Sequence, residues 1–64
     1  MKYYIMKFAF GRMTYYNYNL TATKKYFTCN KVSLVKFDSE NEAMEEIAKM
    51  DIKSYDEIFI EKTF

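Results

Sequence analysis

Apolar and polar positions alternate through the first half of the chain and then change period. From Tyr3 to Phe10 an extended chain puts Tyr4, Met6, Phe8 and Phe10 on one side and Tyr3, Ile5, Lys7 and Ala9 on the other. Apolar residues on both sides predict a central strand, or one whose second side meets a partner. Gly11-Arg12 falls where a turn is expected, because glycine tolerates positive φ. Met13 to Leu20 predicts a second strand in which Tyr16, Tyr18 and Leu20 alternate with Tyr15, Asn17 and Asn19. The two asparagines predict a polar side and fraying near Asn17. Thr21 to Lys24 is a polar connector, and Lys25 to Cys29 a third short strand with Tyr26 and Thr28 opposite Phe27 and Cys29. Asn30-Lys31 reads as a turn. Val32 to Phe37 is extended, either as a continuation of the sheet or as the approach to a helix.

The helix signal follows. Ser39 and Glu42 have the spacing of a capping box, in which each side chain satisfies the other residue's amide. Glu40 and Glu42 also suit the positive end of the helix dipole. Ala43, Ile47 and Met50, widened by Met44 and Ala48, form an apolar stripe, and Glu45 and Lys49 an exposed i, i+4 pair. This pattern predicts a helix from Glu40 to about Met50. Ser54 to Asp56 then leads to a closing strand with Ile58 and Ile60 inward, Glu57 and Glu61 toward water, and Phe59 between them.

The expected fold is therefore α+β: one domain over residues 1–64, in the order β-β-β-α-β. A three- to four-stranded antiparallel sheet is covered on one face by the single helix. The expected core is Tyr4, Ile5, Met6, Phe8, Phe27, Phe37, Ala43, Met44, Ile47, Met50, Ile58 and Ile60. The second sheet face is left bare.

Charge sharpens this picture. Residues 1–37 carry seven basic groups and no acidic one, whereas residues 38–64 carry nine acidic groups and three lysines. The halves hold +7 and −6, and six of the seven tyrosines lie in the basic half. Such segregation gives a directed field that steers partners. A chain of 64 residues buries only about 60% of its unfolded surface, and a core of this size supplies roughly 3–5 kcal/mol. Cys29 is the one cysteine and there is no histidine, so neither an intrachain disulfide nor a histidine-based metal site can staple the domain. Aromatic packing and self-association remain. The free thiol fits a reducing compartment. Without a histidine to activate it, Cys29 reads as a small semi-buried strand residue rather than a nucleophile. Lys7 interrupts the only early apolar run, so neither a signal peptide nor a membrane span is expected, and the chain reads as soluble and cytoplasmic.

Catalysis has no obvious apparatus. Histidine is absent, the neighbouring carboxylates Glu45/Glu46 and Asp56/Glu57 point apart on a helix or strand, and one glycine cannot build a phosphate loop. The expectation is a non-enzyme with no metal, no cofactor and no membrane partner. Three binding readings stay open. Tyr3, Tyr15, Tyr26, Lys7 and Lys25 could share the bare face and stack bases while neutralising phosphates, though net charge is only +1 and the acidic helix would repel nucleic acid. A tyrosine-rich face with few carboxylates also suits a protein partner, which could be a second copy. Candidate contact residues are Tyr3, Lys7, Arg12, Tyr15, Tyr16, Tyr18, Lys25 and Tyr26 on the sheet and Glu45 and Glu46 on the helix. The third reading is a small nucleotide signal held between copies. The bland alternative is that the tyrosines pack the sheet and the lysines solvate its rim.

The segments Lys2-Tyr3-Tyr4-Ile5-Met6-Lys7, Tyr18-Asn19-Leu20-Thr21 and Val35-Lys36-Phe37-Asp38-Ser39-Glu40-Asn41-Glu42-Ala43, with the closing Tyr55-Asp56-Glu57-Ile58-Phe59-Ile60, resemble small phage and prophage accessory proteins of low-GC bacteria. The resemblance implies a viral protein that binds and inhibits host machinery, including defence systems such as CRISPR nucleases, in the host cytoplasm. It carries no catalytic residues.

Overall fold

A computed structural model describes residues 1–54 and 56–63, so Tyr55 of the closing segment lies outside the described residues. The chain order is β1 (Lys2–Ala9), β2 (Arg12–Asn19), β3 (Lys24–Thr28), α1 (Glu40–Ala48) and β4 (Glu57–Thr63). The strands form one antiparallel sheet in the order β3-β2-β1-β4. This is the expected two-layer α+β domain, with four strands and with β1 inside the sheet.

The first turn is Phe10-Gly11, one residue earlier than the glycine alone suggested. Ala9 pairs with Arg12, and both loop residues have positive φ, 54° and 76°. That is the type I′ signature, whose twist matches the flanking strands. Glycine takes this conformation freely, but a phenylalanine there costs about 1–2 kcal/mol. Phe10→Asn is therefore expected to raise the melting temperature by about 4–8 °C, the shift that about 1 kcal/mol gives a domain of this size. A thermal melt followed by circular dichroism checks it; an unchanged or lower midpoint refutes the turn assignment.

β1 and β2 pair only from Met6↔Tyr15 to Ala9↔Arg12 and then part. Residues 33–37 enter the gap and bond to both sides. Tyr18 N donates to Ser33 O and Val35 N to Tyr16 O, while Tyr3 and Phe37 exchange a pair of bonds at 2.9 and 2.8 Å. The Val32 to Phe37 segment is thus both a continuation of the sheet and the approach to the helix. Asn17 anchors this arrangement. Its amide nitrogen donates to Tyr15 O and Asn30 O, and its side-chain oxygen accepts from Ser33 N, all at 2.9 Å. At 2% exposure it is the buried polar residue among the described residues. The expected fraying near Asn17 is overturned, because a buried amide that mimics a backbone unit fastens the strand instead of loosening it.

The helix starts as its sequence requires. Ser39 is the N-cap, with Oγ accepting from Glu42 N at 3.2 Å. The Glu42 carboxylate accepts from Asp38 N at 3.0 Å rather than from Ser39. The helix ends at Ala48 with Lys49 as its cap. Its buried contact is Ala43, which packs with Ile5 and Tyr16. Phe27, Val35, Phe37, Ile47, Met50, Ile58 and Ile60 surround these three. Met44 is 56% exposed and Ala48 is also exposed, so the stripe is narrower than expected and Met44 leaves the core. Tyr4, Met6 and Phe8 leave it as well. Strand alternation turns them away from Ile5, and therefore away from α1. Cys29 is exposed beyond the end of β3, not semi-buried within a strand, and Arg12 Nη1 donates to its sulfur at 3.8 Å.

Candidate interaction surface

Register decides which side chains share a face. Residues paired across antiparallel strands project to the same side, so Ile5 carries Ile60 with it and Tyr16 carries Phe27, and Ile5 and Tyr16 meet in the core. That side meets the helix. Tyr3, Lys7, Arg12, Tyr18 and Lys25 belong to it by the same alternation. The opposite side presents Tyr4, Met6 and Phe8 from β1, Met13 and Tyr15 from β2, Tyr26 from β3, and Glu57, Phe59 and Glu61 from β4. Tyr15, Met6 and Phe59 form one row across three strands, and Met13, Phe8 and Glu57 the next. Phe8 is 38% and Phe59 39% exposed. No helix covers this face among the described residues. The 29–33 loop crosses one corner, where Lys31 Nζ lies 4.7 Å from the Tyr15 ring centroid and 5.9 Å from that of Tyr4. The two rings are 6.4 Å apart. This cation–π contact fixes the loop over the tyrosines.

The sequence-derived candidates therefore divide. Tyr15 and Tyr26 lie on the open face. Tyr3, Lys7 and Lys25, expected beside them, are on the helix side, and Lys7 Nζ sits 4.5 Å from the Phe27 ring. The shared basic and aromatic face expected of these five residues is not assembled, since a one-position slip in pairing moves a side chain across the sheet. Tyr16 is buried and is a core residue, not a contact residue. Its hydroxyl donates to Glu46 Oε2 at 2.8 Å, and Lys25 Nζ approaches the same oxygen at 3.3 Å. Glu46 is thereby engaged within the fold, whereas Glu45 stays exposed and accepts from Asn41 at 3.4 Å. Arg12 is exposed at the hairpin, and Tyr18 and Tyr26 line a cleft of about 290 Å³ with Asn17, Asn30, Leu20 and Val32. The Asn17 and Asn30 side chains in that cleft already hold backbone groups.

The Tyr16–Glu46 contact gives stability a pH dependence at both extremes. The Tyr16 hydroxyl donor, aided by Lys25, holds the Glu46 carboxyl below the usual range even though burial opposes this. Its contribution is complete above the unfolded pKa of about 4.3 and is lost as pH falls through the lower folded value. Burial first, then Glu46 as acceptor and charge, pushes the Tyr16 hydroxyl well up. That contribution is present below about pH 10, the unfolded value, and is lost as pH rises beyond it. Glu46→Gln is expected to flatten the acid limb, and Tyr16→Phe both limbs, in urea midpoints measured from pH 2 to 12. Limbs unchanged by both substitutions would remove this linkage.

Tyr4, Met6 and Phe8, expected in the core, stand on the open face, together with Met13 and Phe59, which carry no binding expectation from sequence. A usable signal was present. A two-residue turn at Phe10-Gly11 pairs even positions of β1 with odd positions of β2, which places Met13 and Tyr15 beside Met6 and Phe8.

No helix among the described residues is long and apolar enough to cross a membrane, and those residues hold no cluster of three His, Cys, Asp or Glu suited to a metal ion. In comparisons with known proteins, no family model, curated protein or solved structure matches the chain.

Proposed function

We propose that this chain is a non-enzymatic binding protein of the phage accessory type, which inhibits a host defence protein in the host cytoplasm by covering part of its surface. The observation that carries this reading is the open sheet face. A row of Tyr15, Met6 and Phe59, flanked by Phe8 and Met13, lies on the sheet face opposite α1. Contiguous apolar surface of this kind on a small domain marks an interaction site, and tyrosine and methionine are favoured at the centres of protein interfaces. A protein partner fits this face better than nucleic acid does, because Lys7 and Lys25 lie behind the sheet and Glu57 and Glu61 stand on the open side.

The test is a pairwise titration of the purified chain against purified host defence nucleases, with Met6→Glu as the control. The wild type is expected to bind and block at one to one, and Met6→Glu to lose affinity at least tenfold with its circular dichroism unchanged. Binding indifferent to Met6→Glu would move the contact to another face. Tight binding of oligonucleotides at 150 mM salt, weakening steeply with added salt, would replace the reading with a nucleic-acid role.

A further inference from the structure

β4 closes one edge of the sheet, and the register fixes which of its backbone groups are left over. Tyr3 directs its N–H and C=O to Phe37, on the β2 side of β1. Backbone groups alternate along a strand, so Lys2, Tyr4, Met6 and Phe8 point theirs at β4, where they meet Thr63, Glu61, Phe59 and Glu57. The N–H and C=O groups of Ile58, Ile60 and Lys62 therefore point outward, past the sheet. No backbone bond reaches them from another described residue.

Such a row fits an extended strand, which repeats donors and acceptors at the matching spacing. Side chains decide which strand. Glu57, Phe59 and Glu61 flank the edge on the open side and are exposed, and no ion pair holds either carboxylate among the described residues. Ile58 and Ile60 flank it on the helix side and are half-buried. A second copy of β4 does not fit. Paired about Ile60, it would string four carboxylates along the open side about 8 Å apart. A slip of two residues would set Glu57 against Glu61, or Glu61 against itself. A basic strand meets no such repulsion. The far edge is different, because β3 is only five residues long and carries the exposed Lys24 and Lys25, and edge lysines discourage strand addition.

We propose that β4 takes up an extended basic segment of the partner as a fifth, antiparallel strand. The inference rests on the reading of the open face as a binding surface, and it gives the mode and chemistry of the contact along that face's β4 border. Antiparallel pairing continues the rest of the sheet and bonds slightly better than parallel. Guest residues opposite Glu57 and Glu61 are Lys or Arg, and the one opposite Phe59 is aromatic. Those opposite Ile58 and Ile60 are β-branched and extend the apolar helix side. The guest therefore reads basic, apolar, apolar, apolar, basic.

The probe is the peptide acetyl-Glu-Lys-Val-Tyr-Val-Lys-Thr-amide, whose first residue falls opposite Lys62, titrated into the isotope-labelled chain and followed by NMR. Amide shifts should centre on Ile58, Ile60 and Lys62, whose solvent exchange should slow, and should spare β3. A short strand held by one edge is expected to bind with a Kd on the order of 0.1–1 mM. Replacing both peptide lysines by glutamate should weaken binding about tenfold, and Glu57→Lys/Glu61→Lys in the chain should restore it. N-methylation of the first valine, opposite Ile60, removes a bonding donor and should abolish binding. N-methylation of the tyrosine, whose N–H points away from β4, should be tolerated. No shift at millimolar peptide, shifts centred on another element, or equal binding by the glutamate or N-methylvaline peptide would overturn the proposal; none of these outcomes depends on a variant folding. Any of them would leave the open-face reading standing, since the Met6→Glu titration tests it separately. Peptide binding as expected, with no host partner found, would leave the β4 site standing.

Discussion

Asn17→Leu should leave the chain largely unfolded at 25 °C. The substitution keeps the branched shape and heavy-atom count and adds apolar surface, so a simple burial argument predicts little harm. The hydrogen bonds decide otherwise. Tyr15 O and Asn30 O each lose a donor and Ser33 N loses its acceptor. A hydrogen bond of this kind contributes about 0.5–1.5 kcal/mol net, so the loss of three costs about 1.5–4.5 kcal/mol. A core of this size supplies only roughly 3–5 kcal/mol. The damage should also have a place. The 33–37 segment loses its anchor, so the amides of Tyr18, Val35 and Phe37, which bond across the gap, should lose hydrogen-exchange protection first. Asn17→Asp keeps the acceptor for Ser33 N but sets a buried carboxylate oxygen against Tyr15 O and Asn30 O, so it should destabilise at least as much at neutral pH. A melting temperature within a few degrees of wild type for Asn17→Leu would show that residues 33–37 hold their place without this side chain.

The second large effect contrasts neighbouring residues. Ile5→Ala empties the centre of the core, where Ile5 is fully buried against Tyr16 and Ala43. Large-to-small changes at such sites cost about 2–5 kcal/mol, which matches the whole stability of a domain this small. Met6→Ala, one position along the same strand, removes a comparable but only half-buried side chain from the open face and should cost about 1 kcal/mol, well below Ile5→Ala. Urea unfolding of both variants at low micromolar concentration measures the difference directly. Equal destabilisation of the two variants at low concentration would mean that the two sides of β1 are equally packed, and the assignment of an open face would fall.

Much of the fold could be read from residue order. Alternation in residues 3–10 and 57–61, the Ser39–Glu42 cap and the spacing of Ala43, Ile47 and Met50 each depend on neighbours a few residues apart, and local sterics and hydrogen bonding set them. These signals placed the helix and all four strands to within about two residues, the usual uncertainty of element ends. Face membership was harder, because β1 is apolar on both sides and either side could have met the helix. Ile5 rather than Met6 turned inward, and that choice moved Tyr4, Met6 and Phe8 out of the core while it set Tyr3, Lys7 and Lys25 behind the sheet.

By itself, then, the sequence determined the α+β class, the element order, the helix cap and the segregation of charge between the two halves, since all of these are short-range or compositional. Only tertiary structure decided the strand order, the insertion of residues 33–37 between β1 and β2, the role of Asn17 and the gathering of Met6, Tyr15 and Phe59 in one row on the open face. Each of these depends on contacts between residues far apart in the chain, where a shift of one position in pairing reverses the face a side chain occupies.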